Sequence, residues 1–149
     1  MPLMLAMIGA EPMRFKPFID LYHRAFAEFG KPAQSIGTHS PGYVSDTDER
    51  AREELWPDYK QMRDRIGAER GWPPMERGEF DREIERGSLY VGSPKTVAAK
   101  IAATIAALKV SRFEMKYSAG ALPHERLMRS IELYGGSVIP LVRETLAHR

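Results

Sequence analysis

The stretch Gly87-Ser-Leu-Tyr-Val-Gly-Ser-Pro-Lys-Thr-Val-Ala-Ala-Lys-Ile101 is a short apolar run that passes directly into a capped amphipathic helix. Ser93 carries the side chain preferred at an N-cap, because its hydroxyl accepts from a backbone N–H of the first turn. Pro94 follows at the first helical position, where its missing N–H costs nothing. Val97, Ile101, Ile105 and Leu108 then recur at helical spacing. Arg112-Phe-Glu-Met-Lys-Tyr-Ser118 alternates as a strand does, and a further helix is expected after Gly120. Turn, helix, strand, helix is the order of a parallel α/β protein.

The same order extends toward the N-terminus. Leu3-Met-Leu-Ala-Met-Ile8 is an apolar run of strand length that ends at Gly9. Phe15, Phe18, Ile19, Tyr22, Phe26 and Phe29 fall at helical spacing and predict one buried stripe, stopped by Gly30 and Pro32. Gln34 to Pro41 reads as a second strand running into a loop. Asp46 and Glu49 have capping-box spacing, and Ala51, Leu55, Tyr59, Met62 and Ile66 trace the apolar face of the helix they open. Pro57 is expected to kink that helix. The charged stretch from Arg63 to Arg86 holds Gly71, Pro73, Pro74 and Gly78, and reads as a surface excursion with one helical turn near Phe80. Leu127, Ile131 and Tyr134 mark a helix broken at Gly135-Gly136, after which Ser137 caps a last short helix ending over 143–149.

Composition narrows the function classes. The 149 residues suit one domain with a real core. With 22 basic and 20 acidic residues, a net charge of +2 makes no electrostatic case for nucleic acid. No cysteine is present, which excludes disulfides, thiol catalysis and thiolate metal sites and fits a reducing, cytoplasmic location. No apolar run is long enough to cross a bilayer, and the N-terminus lacks the basic flank and cleavage pattern of a signal peptide, so no membrane partner is expected. His23, His39, His124 and His148 lack metal-ligand spacing, so no metal is expected. Glu53-Glu54 and Asp46/Asp48 are read as solvated helix starts and faces. The first strand is as apolar as a central strand, and parallel strands of this kind need cover on both faces. Three strands, three helices and an excursion leave an open edge beside Leu3 to Ile8, so an upstream part is expected.

Six segments in order resemble the C-terminal part of the luciferase-like, flavin-dependent monooxygenases. They are Leu3-Met-Leu-Ala-Met-Ile-Gly-Ala-Glu-Pro12, Gly37-Thr-His-Ser-Pro-Gly-Tyr-Val-Ser-Asp-Thr-Asp-Glu49, Trp56-Pro57, Glu69-Arg-Gly-Trp-Pro-Pro74, Gly87-Ser-Leu-Tyr-Val-Gly-Ser-Pro94 and Leu122-Pro-His-Glu125. The resemblance implies a (β/α)₈ TIM barrel, which needs roughly 250 residues. Residues 1–149 would be the C-terminal half of that single domain, the last three β/α units with a long excursion between the second and third strands. Leu3 to Ile8 would be the sixth strand, Ser35 to His39 the seventh and Phe113 to Ser118 the eighth. It further implies reduced FMN as cofactor, with F420 in one branch, and O2, a small organic substrate and a flavin reductase as partners.

Barrels keep their chemistry at the C-terminal ends of the strands. The candidate catalytic residue is therefore His39, which would place an imidazole at the barrel mouth as donor or proton shuttle, or else bond nearby backbone. The candidate cofactor-binding residues are Gly9 and Ala10, Ser40, Ser118, Gly120 and His124. Gly9 and Ala10 would let a flat ring approach, or simply form a tight turn. Ser93 reads as an anion-binding helix start or as a cap alone. Trp56 and Trp72 read as parts of a lid over the site or as packing anchors. Two functions stand: a flavin-dependent monooxygenase acting as part of a full barrel, and a noncatalytic half-barrel that pairs through its strand edge. The second would recruit a complementing N-terminal half or form a homodimer.

Overall fold

The computed structural model describes residues 2–118 and 120–148. Strand β2 (Ile36–Val44) organises the molecule. Its first half pairs in parallel with β1 (Leu3–Ala6) on one edge and with β4 (Arg112–Lys116) on the other, Ala6 and Glu114 both lying beside His39. Its second half pairs in parallel with β3 (Tyr90–Gly92). The result is a four-stranded sheet, one strand more than the sequence pattern predicts, because Tyr90–Gly92 is a strand and not only the approach to a helix.

Alternation divides that sheet into two unlike faces. Ile36, Phe113 and Met115 pack with Leu3 and Leu5 into one core, together with Val97 and Ile101 of α4 (Pro94–Leu108) and Val142 of α6 (Ile139–Ala147). By the strand register, Met4, Ala6, Gly37, His39, Pro41, Arg112, Glu114 and Lys116 share the opposite face. Only the upper end of that face is covered. There Tyr43 joins a second core with Leu55 and Tyr59 of α2 (Asp48–Arg70) and Phe80 and Ile84 of α3 (Arg77–Glu85).

Several sequence expectations need correction. The second strand does not end near His39 but continues to Val44. Ser40-Pro41-Gly42 looks like loop punctuation, yet Met7 N–H bonds His39 O at 2.9 Å and Ser45 N–H bonds Gly92 O at 3.2 Å, so Pro41 falls between the two strands that share this edge. Its missing N–H therefore interrupts no ladder. The first strand is shorter than expected, and Met4 and Ala6 are exposed.

The aromatic stripe of α1 (Lys16–Glu28), which follows a single 3₁₀ turn at Pro12–Phe15, is not buried as one face. Ile19 is 2% exposed, whereas Phe18 is 57% and Phe29 73% exposed, because only one flank of the helix meets the core. Helix α2 starts one residue late for the predicted box: Thr47 caps it, accepting from Arg50 N–H at 3.1 Å, and Asp46 instead pairs with Arg50 and Arg129. The excursion is mostly helical, since α2 runs through Pro57 to Arg70 and α3 follows after residues 71–76. Met75 and Phe80 are buried there, and that burial gives a charged stretch a reason to order. Finally, Gly135-Gly136 breaks nothing. Helix α5 (His124–Leu133) passes through a π turn at Tyr134–Val138 into α6, and Ser137 lies inside that turn rather than at a cap. Of the predicted terminal segment, Arg149 lies outside the described residues.

The helix of the opening stretch forms as read. Ser93 caps α4, its hydroxyl accepting from Thr96 N–H at 3.4 Å. Asp48, in the first turn of α2, reinforces this start by accepting from Ser93 N–H at 2.6 Å and from the Thr96 hydroxyl at 2.9 Å. Burial opposes ionisation of Asp48, but these bonds outweigh it and hold the carboxyl below its ordinary range.

Two outcomes are expected. Gly42→Ala should lose about 1–3 kcal/mol in chemical denaturation, since a Cβ there would stand 2.5 Å from Met115 sulfur and 2.6 Å from Tyr90 O. The depressed Asp48 contributes stability that is full above its unfolded pKa, about 4, and is lost as pH falls through its lower folded value. Denaturation of Asp48→Asn should therefore lie below wild type at neutral pH and converge with it in acid. Parallel pH profiles would exclude the assignment.

Candidate functional site

The uncovered part of the sheet faces a cleft of about 620 Å³, bounded on its far side by the excursion helices. That volume is in the range of small-molecule sites, roughly 300–1,000 Å³. His39 and Pro41 of β2 line it from the sheet, with Ile8 and Gly9 after β1 and Lys116 and Ser118 at the end of β4. Helix α2 contributes Leu55, Tyr59, Met62, Arg63 and Ile66, and α3 contributes Glu79 and Glu83. Trp72 borders it too, its ring stacked by the Arg63 guanidinium at 4.4 Å and by Arg70 at 5.1 Å.

The structure thus brings three of the sequence candidates together: His39, Gly9 and Ser118. Gly9 has φ +69°, so glycine is required by the turn, and a Cβ there would meet nothing within 4 Å. The other candidates lie elsewhere. Ser40 alternates with His39 and turns to the opposite face, where its buried hydroxyl donates to Met7 O at 3.0 Å. The carbonyl of Ala10 accepts from the Ser88 hydroxyl. Gly120 has φ +60° and sits against α2, where a Cβ would come within 2.8 Å of Asp58 O. His124 opens α5 at the surface, away from the residues that line the cleft. Trp56 packs on Phe80 at 5.1 Å between ring centroids, an anchor of the second core, whereas Trp72 borders the cleft.

The excursion side of the cleft was not legible as a site. Tyr59, Met62 and Ile66 carry the helical period of a buried face, and nothing in that period separates residues that reach the core from residues that line a cavity beside it. Glu83 and Arg63 sit in a run of mixed charge that reads as solvated. Both are instead half-buried where they line the cleft. Burial, followed by the Glu79 charge, pushes the Glu83 carboxyl above its ordinary pKa although the Tyr59 hydroxyl donates to it at 3.1 Å. Burial and the Glu83 charge push the Tyr59 phenol up in turn.

Helix α3 is held in place from behind by Lys100 of α4. Its Nζ donates to Ile84 O at 2.6 Å and Leu89 O at 2.9 Å, with Glu83 O at 3.5 Å, and lies 4.8 Å from the Tyr90 ring centroid. Burial lowers the Lys100 pKa to about 8. Of these acceptors, Ile84 O is a carbonyl of the last turn of α3, which the helix itself leaves unpaired. Among the described residues, no group of His, Asp and Glu could hold a metal ion, and no helix is long and apolar enough to cross a membrane.

No family model matches the chain, and no curated protein does. Solved structures do. Monooxygenase RslO1 from Streptomyces bottropensis is 21% identical, with a TM-score of 0.74, covering 92% of this chain and 40% of that one. The oxygenating constituent of 3,6-diketocamphane monooxygenase from Pseudomonas putida, a type II Baeyer-Villiger monooxygenase in complex with FMN, is 19% identical, with a TM-score of 0.67 over 93% of this chain and 42% of that one. The long-chain alkane monooxygenase LadA is 15% identical, with a TM-score of 0.62 over 95% of this chain and 36% of that one. The chain shares their fold over nearly its whole length and spans about two fifths of theirs. The resemblance drawn from sequence is borne out by these neighbours at the level of fold.

If Lys100 braces the helix that carries Glu83, Lys100→Met should lower unfolding stability by about 1–3 kcal/mol. Hydrogen exchange should rise at the C-terminal end of α3 in the same variant. An unchanged denaturation midpoint would show the brace to be dispensable.

Proposed function

We propose that this chain is the C-terminal half of a (β/α)₈ barrel that acts as a flavin-dependent monooxygenase, taking reduced FMN and O2 to a small organic substrate. The observation that carries the reading is the cleft past the C-terminal ends of β1 and β4, beside the middle of the longer β2, toward the end at which barrels assemble their sites. Similarity to monooxygenase structures, one of them in complex with FMN, supports it.

The residues present fit a flavin. A ring with polar edges and apolar faces would meet His39 and Ser118 from the sheet side and Leu55, Met62, Ile66 and Trp72 from the excursion. Reduced flavin supplies the electrons that activate O2. The imidazole of His39 lies midway along β2, held by backbone pairs on both edges, and so can donate a hydrogen bond or move a proton from a fixed position. Trp72 and the α2–α3 segment restrict water at the cleft, the role of a lid over reactive chemistry. F420 remains the alternative cofactor, and a flavin reductase the electron source. A complementing N-terminal half would supply the rest of the wall.

A second reading draws on β1, which lies at one end of the strand order, with its Met4 and the following Ile8 exposed. Here the chain is a noncatalytic module that pairs through this edge, with a complementing half or as a homodimer.

Titration of the purified chain into FMN, alone and with a candidate N-terminal half, distinguishes the two. Quenching of flavin fluorescence, together with NADH and oxygen consumption when a flavin reductase is supplied, is the expected result. His39→Ala should lower turnover of the reconstituted barrel at least tenfold. No quenching and no oxygen consumption would leave the noncatalytic module.

A further inference from the structure

The register sets Glu114 beside His39 and Lys116 beside Pro41, so Lys116 is the diagonal neighbour of His39 on the sheet face that borders the cleft, within reach of a long side chain. Ser118 follows two residues on and lines the cleft as well. This wall offers donors and no carboxylate. Glu114 is held by Arg112 at 2.6 Å and does not line the cleft, and among the described residues Lys116 has neither an ion pair nor a hydrogen bond.

The opposite wall does not supply the missing charge. Its acids, Glu79 and Glu83, both stand on α3. Glu79 lies 3.5 Å from Arg63 Nη2, and Glu83 accepts from the Tyr59 hydroxyl. Arg63 still has a buried Nη1 without a partner, and Arg70, against the Trp72 ring, makes no ion pair among the described residues. The lining therefore carries Arg63, Arg70 and Lys116 against two acids, a balance that draws an anion in.

Flavin chemistry supplies one. The oxidised ring is neutral, whereas the two-electron reduced ring is largely ionised at N1 at neutral pH and spreads a negative charge along one polar edge. A fixed cation at that edge favours the reduced form over the oxidised. We infer that Lys116 is the residue by which the cleft tells reduced from oxidised flavin, its ammonium pairing with the charge of the reduced ring. This role rests on the cleft being the flavin site, and it adds the redox state selected and the side chain that selects it. The flavin phosphate is the competing anion. Its charge is the same in both redox states, so a lysine placed on it would select neither.

The test is titration of the chain, under argon, with FMN and with dithionite-reduced FMN. Wild type should bind the reduced form about tenfold more tightly, the worth of one charged hydrogen bond and equal to a rise of about 30 mV in the two-electron potential of the bound flavin. Lys116→Met should cut that ratio at least about fivefold while binding oxidised FMN within about twofold of wild type, which also shows the variant to be folded. Lys116→Arg should keep the ratio. Lys109→Met, which removes an exposed lysine outside the cleft lining, should change neither affinity.

Equal affinity of wild type for the two forms would overturn the inference, as would a ratio that survives in Lys116→Met. Equal weakening of both forms in that variant would place the lysine on the phosphate and overturn it too. In each of these cases FMN still binds, and the flavin reading stands. Binding of neither form would remove the flavin site itself, and the role of Lys116 with it.

Discussion

Everything in this fold depends on β2 bonding three strands at once. A nine-residue strand gives its first residues to β1 and β4 and its last to β3, so all three other strands are held in register by it. Alternation along this one strand then sets the chemistry. Ile36 and Val44 enter one core and Tyr43 the other, while His39 and Pro41 border the cleft between the sheet and the excursion. A slip of one residue would exchange these roles, placing Ser40 in the cleft and His39 in the core. The serine hydroxyl bonded to Met7 O helps to fix the register against that slip.

The step from β2 into α2 carries a second constraint. Glu54 accepts from the Tyr43 hydroxyl at 2.8 Å, from the Ser45 hydroxyl at 2.9 Å and from Arg50 Nε at 2.7 Å. Burial would raise this carboxyl, but the three donors outweigh it and keep it below its ordinary range. Six residues earlier, Asp48 reaches across to the start of α4. Two carboxylates thus orient α2 against strand and helix together. That orientation brings Tyr59 and Arg63 to the cleft that His39 also lines, and Lys100 holds α3 from behind.

Much of the element order was legible in the sequence, because capping chemistry and periodicity are local. Ser93-Pro94 marks a helix start wherever it occurs before an apolar stripe. What escaped was decided by partners far along the chain. Ser40-Pro41-Gly42 resembles a loop until Met115 and Tyr90 are seen to close on Gly42. Phe18 and Phe29 match the period of a buried face, but burial requires a neighbour, and α1 has one on a single flank. The site divides in the same way. Gly9 and Ser118 follow from where β1 and β4 end, a topological fact, whereas His39 was chosen as a strand end and lines the cleft from the middle of β2 instead. Glu83 and Tyr59 depend on how two helices of an apparent surface excursion cross, and no local pattern encodes that.

The central claim is that the cleft beside His39 receives the flavin. With four histidines in the chain, ¹⁵N-histidine labelling allows each imidazole to be followed by NMR as reduced FMN is added under argon. The account predicts that the His39 resonances shift in a saturable way while those of His23, His124 and His148 stay in place. Saturable binding that leaves His39 unmoved and shifts His124 instead would contradict it, moving the flavin out of the cleft to the start of α5.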